Sequence, residues 1–319
     1  MKRVLSALVY AAAAFFVNDA LAASAEFPGK PIRVVIGPGT DFLPRLLGPK
    51  LAPVWHQQLV VDQRPGGGGA IAAEIVAAAP PDGHTWLIST AVFTINASMY
   101  AKPPYNLERD FAPVTGLATA TFLLLVNPAV PAKSVAELIQ LARDKPGQLN
   151  YASSGVGTPP HMAGEMFKSL AHINMLHVPY KSAGASITEL LTGQVQVSFQ
   201  FMPAALPHVQ SGRLRALGVS SAKRSPLAPE LPTIIESGLP GFEVIGWNGV
   251  HVPRGTPRAT VMRINAELVK AVAAPDVQER MAGAGLEPFP SSPEDFAAFV
   301  KRDLQRWAKV IKDAGIQPE

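Results

Sequence analysis

The chain has 319 residues, of which only 16% are charged, and a formal net charge of +4 at pH 7. Such mild, unclustered basicity excludes the basic stripe of a nucleic-acid binder, although a modest positive field helps to gather anions. The absence of cysteine excludes a lipid-modified anchor, a disulfide scaffold, a thiolate metal site and a cysteine nucleophile.

Lys2 and Arg3 precede a short apolar run from Val4 to Val17, broken only by Ser6, and Ala20-Leu21-Ala22 supplies a small-x-small cleavage pattern. An export signal is predicted over residues 1–22, cut after Ala22 or else after Ala25. The run is too short to span a bilayer, which takes roughly twenty residues. What remains is long for one core and suits two lobes.

Residues 32–36 form the first predicted strand, which stops at Gly37-Pro38-Gly39; Leu43, Leu46, Leu47 and Leu51 then keep helical spacing. A second strand over 59–61 leads through Pro65 and four glycines into an alanine-rich helix over 70–79, and a third strand covers 85–89. This strand-turn-helix rhythm predicts a parallel sheet with helices on its faces. A strand over 122–126 ends at Asn127-Pro128. Ser134 and Glu137 form a capping box for a helix running to Lys145. The next strand, 149–153, passes through a glycine-rich turn into a helix reaching Leu170. Strands at 195–200 and 215–220 follow, and helices over 257–273 and 293–314 each open with proline, which suits a first helical position. Segments 122–126 and roughly 242–250 read as crossings between a lobe of residues 26–125 plus 248–319 and a lobe of residues 126–247.

Three strand-to-helix turns carry the predicted chemistry. In the first, Ser153-Ser154-Gly155-Val156-Gly157-Thr158-Pro159, glycines allow a tight turn and Pro159 opens the helix. Backbone N–H groups at such a start, aided by the helix dipole, favour a carboxylate or phosphate; an ordinary turn holding water is the alternative. Gly39-Thr40-Asp41 is a second turn of this kind, with Asp41 as either a helix cap or a ligand contact, and Thr90-Ala91 is a third. In parallel sheets ligands sit beyond the carboxyl ends of the strands, where all three turns belong. Gly67-x-Gly69-x-x-Ala72 resembles a dinucleotide fingerprint, but it follows Asp62-Gln63-Arg64-Pro65 instead of leaving a strand directly, so no cofactor is expected. There is no G-x-S-x-G elbow, Ser153-Ser154 has no obvious partner base, and His161 reads as a half-buried side chain. His172 and His177 lack carboxylates at ligand spacing, so no metal site is expected.

The sequence resembles the Bug-type receptors of tripartite tricarboxylate transporters from Pro31 to the C-terminal helix. The resemblance rests on Pro31-Ile32-Arg33, Arg64-Pro65-Gly66, Pro81-Asp82-Gly83 and Asp110-Phe111-Ala112-Pro113-Val114. It continues through Ser153-Ser154-Gly155-x-Gly157-Thr158, His177-Val178-Pro179-Tyr180-Lys181, Pro232-Thr233, Glu236-x-Gly238-x-Pro240-Gly241 and Trp247. It implies an α/β fold, the type II periplasmic-binding-protein clamshell, with a mixed, mostly parallel sheet in each of two lobes. It also implies a periplasmic, non-enzymatic, monomeric receptor that closes on a small organic carboxylate and serves a transporter of two membrane subunits. Gly39, Thr40, Asp41, Thr90, Ala91, Ser153, Ser154, Gly155, Gly157 and Thr158 would then line the ligand, with Tyr180 and Gln200 shaping specificity. The chain departs from the family pattern in a first turn about four residues shorter. Gln200 stands where an acidic residue is usual, which disfavours an ammonium-bearing ligand; Ser182 replaces a usual glycine and Asn248 a usual aromatic. A secreted α/β hydrolase and a sensor for a membrane signalling partner are the alternatives.

Overall fold

A computed structural model describes residues 27–316; the predicted export signal lies outside them. The chain opens as β1 (Ile32–Ile36), α1 (Phe42–Trp55), β2 (Leu59–Gln63), α2 (Ala70–Ala77), β3 (Thr85–Thr90) and α3 (Ala91–Met99). β1 pairs in parallel with β2 on one side and β3 on the other. Ile32, Val34, Val35 and Ile36 are fully buried, as a strand covered on both faces requires.

After α4 (Leu107–Asp110), β4 (Phe111–Val126) runs for 16 residues, far beyond the 122–126 expected from sequence. Its first part pairs antiparallel with β9 (Ile245–Pro253) and its last five residues with β7 (Val197–Phe201). β8 (Arg215–Val219) also joins this second part. The other lobe adds α5 (Val135–Asp144), β5 (Asn150–Ser153), α6 (Pro159–Ala171), β6 (Leu176–Pro179), α7 (Ala183–Thr192) and α8 (Met202–Gln210). β5 is parallel to both β6 and β7. The chain closes with α9 (Arg258–Val272), α10 (Pro275–Gly283), β10 (Leu286–Pro288) on β4, and α11 (Pro293–Asp313). The strand path β2-β1-β3-β9-β4-β7-β5-β6 thus passes through both lobes, and both sheets mix parallel βαβ units with antiparallel crossing strands.

α11 joins the lobes at the back. Trp307, Val310 and Ile311 from α11 share one buried cluster with Phe93, Ile95 and Met99 of α3 and Met162, Met166 and Phe167 of α6. The crossings themselves meet on Ser220, which is fully buried. Its hydroxyl accepts from the Phe122 N–H at 3.0 Å and donates to the Val244 carbonyl at 2.6 Å. Its backbone pairs with the same two residues.

Candidate functional site

The first wall forms where β1 and β3 deliver the chain into α1 and α3. Gly39 has φ +145°, a region L side chains rarely adopt, and a Cβ there would lie 3.7 Å from Cγ2 of Thr90. Gly39 and Thr40 are exposed, while Thr90 and Ala91 are buried. Asp41 occupies the N-cap position of α1 without capping it; its carboxylate pairs with Arg45. Thr90 likewise occupies the N-cap of α3, in extended conformation, and makes no cap bond. Its Oγ1 is buried and has no hydrogen-bond partner. Ser134, Ser182 and Ser292, by contrast, all cap their helices with the side chain. The Ser182 cap also gives this departure from the usual glycine a job. Asn248 of β9 is directly opposite Thr90 in the strand register, on the same face of the sheet.

The second wall is the turn from β5 into α6. Thr158, at the N-cap, turns its hydroxyl away from the helix and donates to the Gly155 carbonyl at 2.7 Å. Gly155 N–H donates to Ser153 Oγ at 3.2 Å, and Gly157 N–H donates to Nδ1 of His161 at 3.3 Å. Two amides expected to face a ligand are thus engaged by the turn itself, whereas those of Ser154, Val156 and Thr158 are taken by none of these contacts. Tyr180 N–H donates to the Ser153 carbonyl at 3.0 Å, and its own carbonyl lies 3.6 Å from where a Cβ on Gly155 would sit. Gln200 is fully buried beneath this wall, and its amide nitrogen donates to Ser186 Oγ and Ser198 Oγ at 2.8 and 2.6 Å.

Sequence reasoning saw no partner base for Ser153; the fold supplies one. His177 Nε2 lies 2.7 Å from Ser153 Oγ, because β6 pairs with β5 two residues upstream. His177 stacks between Tyr151, at 4.7 Å, and His161, at 4.2 Å. Tyr151 donates to Glu165 at 2.5 Å, and Lys168 closes the column with an ion pair to Glu165. Burial pushes the His177 imidazole down to about 4, and the neighbouring His161 adds to the shift. Burial also lowers His161 and raises the Tyr151 phenol. Both imidazoles are therefore neutral near pH 7 and act as hydrogen-bond partners for the turn. A related contact underlies the first wall, where Ser89 Oγ lies 2.8 Å from Nδ1 of His251, held down to about 3 by complete burial.

Asn96 of α3, on the helix that Thr90 opens, reaches the second wall, and sequence reasoning missed it. Its amide nitrogen donates to the Gly68 carbonyl at 3.2 Å, and its Oδ1 faces Gly157 across the gap between lobes. Gly39 with Thr90 and Ser153–Thr158 with Tyr180 therefore form two groups, Asn96 reaches from the helix that Thr90 opens to Gly157 of the second, and Gln200 sits apart inside its lobe. Among the described residues no cluster of three or more His, Cys, Asp or Glu could hold a metal ion.

Two lobes, crossed twice by the chain and faced by helix starts, are the architecture of a periplasmic solute-binding protein. A family model described as tripartite tricarboxylate transporter family receptor matches residues 45–316. The chain belongs to that family, whose members are periplasmic receptors. It is 40% identical over 290 residues to the UPF0065 protein of the tcbD-tcbE intergenic region of Pseudomonas sp. (strain P51), covering 89% of this chain and 86% of that protein. Protein BugT of Bordetella pertussis is 32% identical, with 91% and 90% covered. A Rhodopseudomonas palustris protein solved with adipate superposes with a TM-score of 0.80 at 35% identity, covering 92% of this chain and all of that one. MatC from the same organism, solved with bound malate, gives 0.76 at 29% identity, covering 89% of this chain and all of MatC. The chain is a ligand-binding receptor of this class.

Proposed function

We propose that this protein, exported by the signal over residues 1–22, captures a small mono- or dicarboxylate between its lobes as a monomer and presents it to a membrane transporter, without catalysis. The lobes are residues 26–125 with 248–319, and residues 126–247. The exchange of β4 partners between Thr121 and Phe122 supports a crossing there. Adipate and malate in the similar structures support the ligand class.

One observation carries the reading. Thr90 is a good capping residue, yet its buried hydroxyl is unpaired at the uncapped start of α3, next to the Gly39 turn. Buried polar groups normally find partners, and leaving one unmade costs about 1–3 kcal/mol. A carboxylate oxygen seated on the first-turn amides of α3 would supply that partner.

Thr90→Val separates affinity from stability. It keeps the shape and removes the hydroxyl, so the free protein should melt at the same or a higher temperature. Binding of the best ligand from a thermal-shift panel of small carboxylates should weaken about 10- to 100-fold, the worth of a hydrogen bond to a charged group. Unchanged affinity would remove Thr90 from the site.

The Ser153–His177 contact gives a hydrolase reading its one support. Against it, Ser153 is fully buried and its Oγ is held by the turn, while an imidazole near 4 is a weak base at neutral pH. Turnover of simple esters that is lost in Ser153→Ala would decide for the hydrolase instead.

A further inference from the structure

Gly68 of the glycine run Gly66-Gly67-Gly68-Gly69 and the Gly157 turn of the opposite lobe face the same side chain. Asn96 is 8% exposed and sits on the last turns of α3, where α3 meets α6. Gly68 has φ +56°, and a Cβ there would stand 2.6 Å from Asn96 Nδ2 and 3.1 Å from the Tyr100 hydroxyl. Gly157 has φ +72°, and a Cβ there would stand 2.6 Å from Asn96 Oδ1. Both 2.6 Å distances are below those that real Cβ contacts show. The amide is therefore clamped edge-on between a glycine of its own lobe and a glycine of the other. On the near side it also makes a true hydrogen bond, to the Gly68 carbonyl.

The geometry points to Asn96 as the latch of lobe closure, with the polyglycine loop as its seat and Gly157 as its strike plate. The inference rests on the reading of the protein as a receptor that closes on its ligand. Three features of the clamp favour this role over a purely local one. Its far contact belongs to the turn proposed to face the anion, so the latch bears on that wall even without ligand. Gly157 N–H is already turned onto His161, which leaves the Gly157 Cα face free to receive Asn96. Finally, the polyglycine loop is itself backed by α3: a Cβ on Gly69 would come within 2.8 Å of Phe93. The seat thus packs on the helix that carries Asn96, and their alignment does not depend on the position of the other lobe.

The test uses the absence of native cysteine. Val60→Cys on β2 and Leu176→Cys on β6 put spin labels on exposed positions of the two outermost strands of the sheet path, one in each lobe. Pulsed electron-spin distances are then recorded for the full exported chain without ligand. Asn96→Ala should broaden the distribution toward longer distances. Gly157→Ala should lengthen it further, since its methyl strikes Asn96, and adding Asn96→Ala should relieve most of that lengthening because the obstacle is gone. Such non-additivity is the signature of direct contact. Asn96→Asp, which keeps the shape but sets an oxygen against the Gly68 carbonyl, should open the lobes as Asn96→Ala does and stands in if the alanine variant is unstable. An unchanged distribution in both Asn96 variants overturns the latch, as does equal lengthening by Gly157→Ala with and without Asn96. Titration of the labelled parent with adipate and with malate is read separately: failure of both to shift the distances would sink the proposed closure on a carboxylate, while the ligand-free distances still decide the latch.

Discussion

His177 shows how a residue can shape a turn from the strand beside it. It holds the Ser153 hydroxyl from the neighbouring strand, and Ser153 in turn holds Gly155 N–H, so the turn's shape depends on a neutral imidazole. His161, Glu165, Lys168 and Tyr151 surround it, and burial keeps its folded value near 4 against about 6.5 in an unfolded chain. The unfolded chain therefore binds the proton more readily. The stability this residue contributes is complete above pH 6.5 and drains away as pH falls from about 6.5 to about 4. Thermal melts across that range should show the midpoint falling with acid, and His177→Gln should fall less steeply. Identical slopes in the two proteins would mean that His177 is not proton-linked to folding. None of this was visible in the sequence, because the Ser153–His177 contact joins strands 24 positions apart whose pairing only the sheet fixes.

At the level of elements, α3 must be rigid if its first turn is to hold an anion, and a buried carboxylate anchors it. Asp303 of α11 is 2% exposed; its Oδ2 accepts from Thr94 Oγ1 at 2.6 Å and from the Trp247 indole at 2.9 Å, while its Oδ1 pairs with Arg306. One side chain thereby ties α3 to β9 and to the C-terminal helix. Asp303→Asn offers an N–H group to partners that already donate, so a buried donor is stranded. A loss of about 2–4 kcal/mol is expected, read by urea unfolding, together with weaker ligand binding. Elements whose signals are local were legible in advance: Ser134 does cap α5 by accepting from Glu137 N–H, although the Glu137 carboxylate takes the Lys133 N–H instead of completing the capping box, and Pro293 does open α11. The first part of β4 was not. Pro113 and Gly116 are residues that strands disfavour, register shifts interrupt the ladder there, and the partner strand β9 lies more than a hundred residues downstream. Of the candidate site, glycines and serines marked the turns after β1 and β5 and a strand end marked Thr90-Ala91, but the idle Thr90 hydroxyl and the position of Asn96 are facts of packing alone.

For the whole molecule, closure requires two chain crossings to bend together, and their junction on Ser220 defines where they can. One hydroxyl accepts from Phe122 on the outgoing crossing and donates to Val244 on the returning one, and the Ser220 backbone repeats both links. The two strands are therefore coupled at one point instead of flexing independently, and the hinge axis must run close to it. Ser220→Ala removes the hydroxyl bridge but keeps the backbone pair, leaving the Phe122 amide and the Val244 carbonyl each one partner short in a fully buried setting. The fold should survive with a loss of about 1–3 kcal/mol. The crossings should also lose their coupling, so that spin-label distances between β2 and β6 spread in both directions in the free protein. That differs from loss of the Asn96 latch, which lengthens distances without shortening any. A Ser220→Ala protein that is less stable yet keeps the parent distance distribution would show that the backbone pair alone sets the hinge.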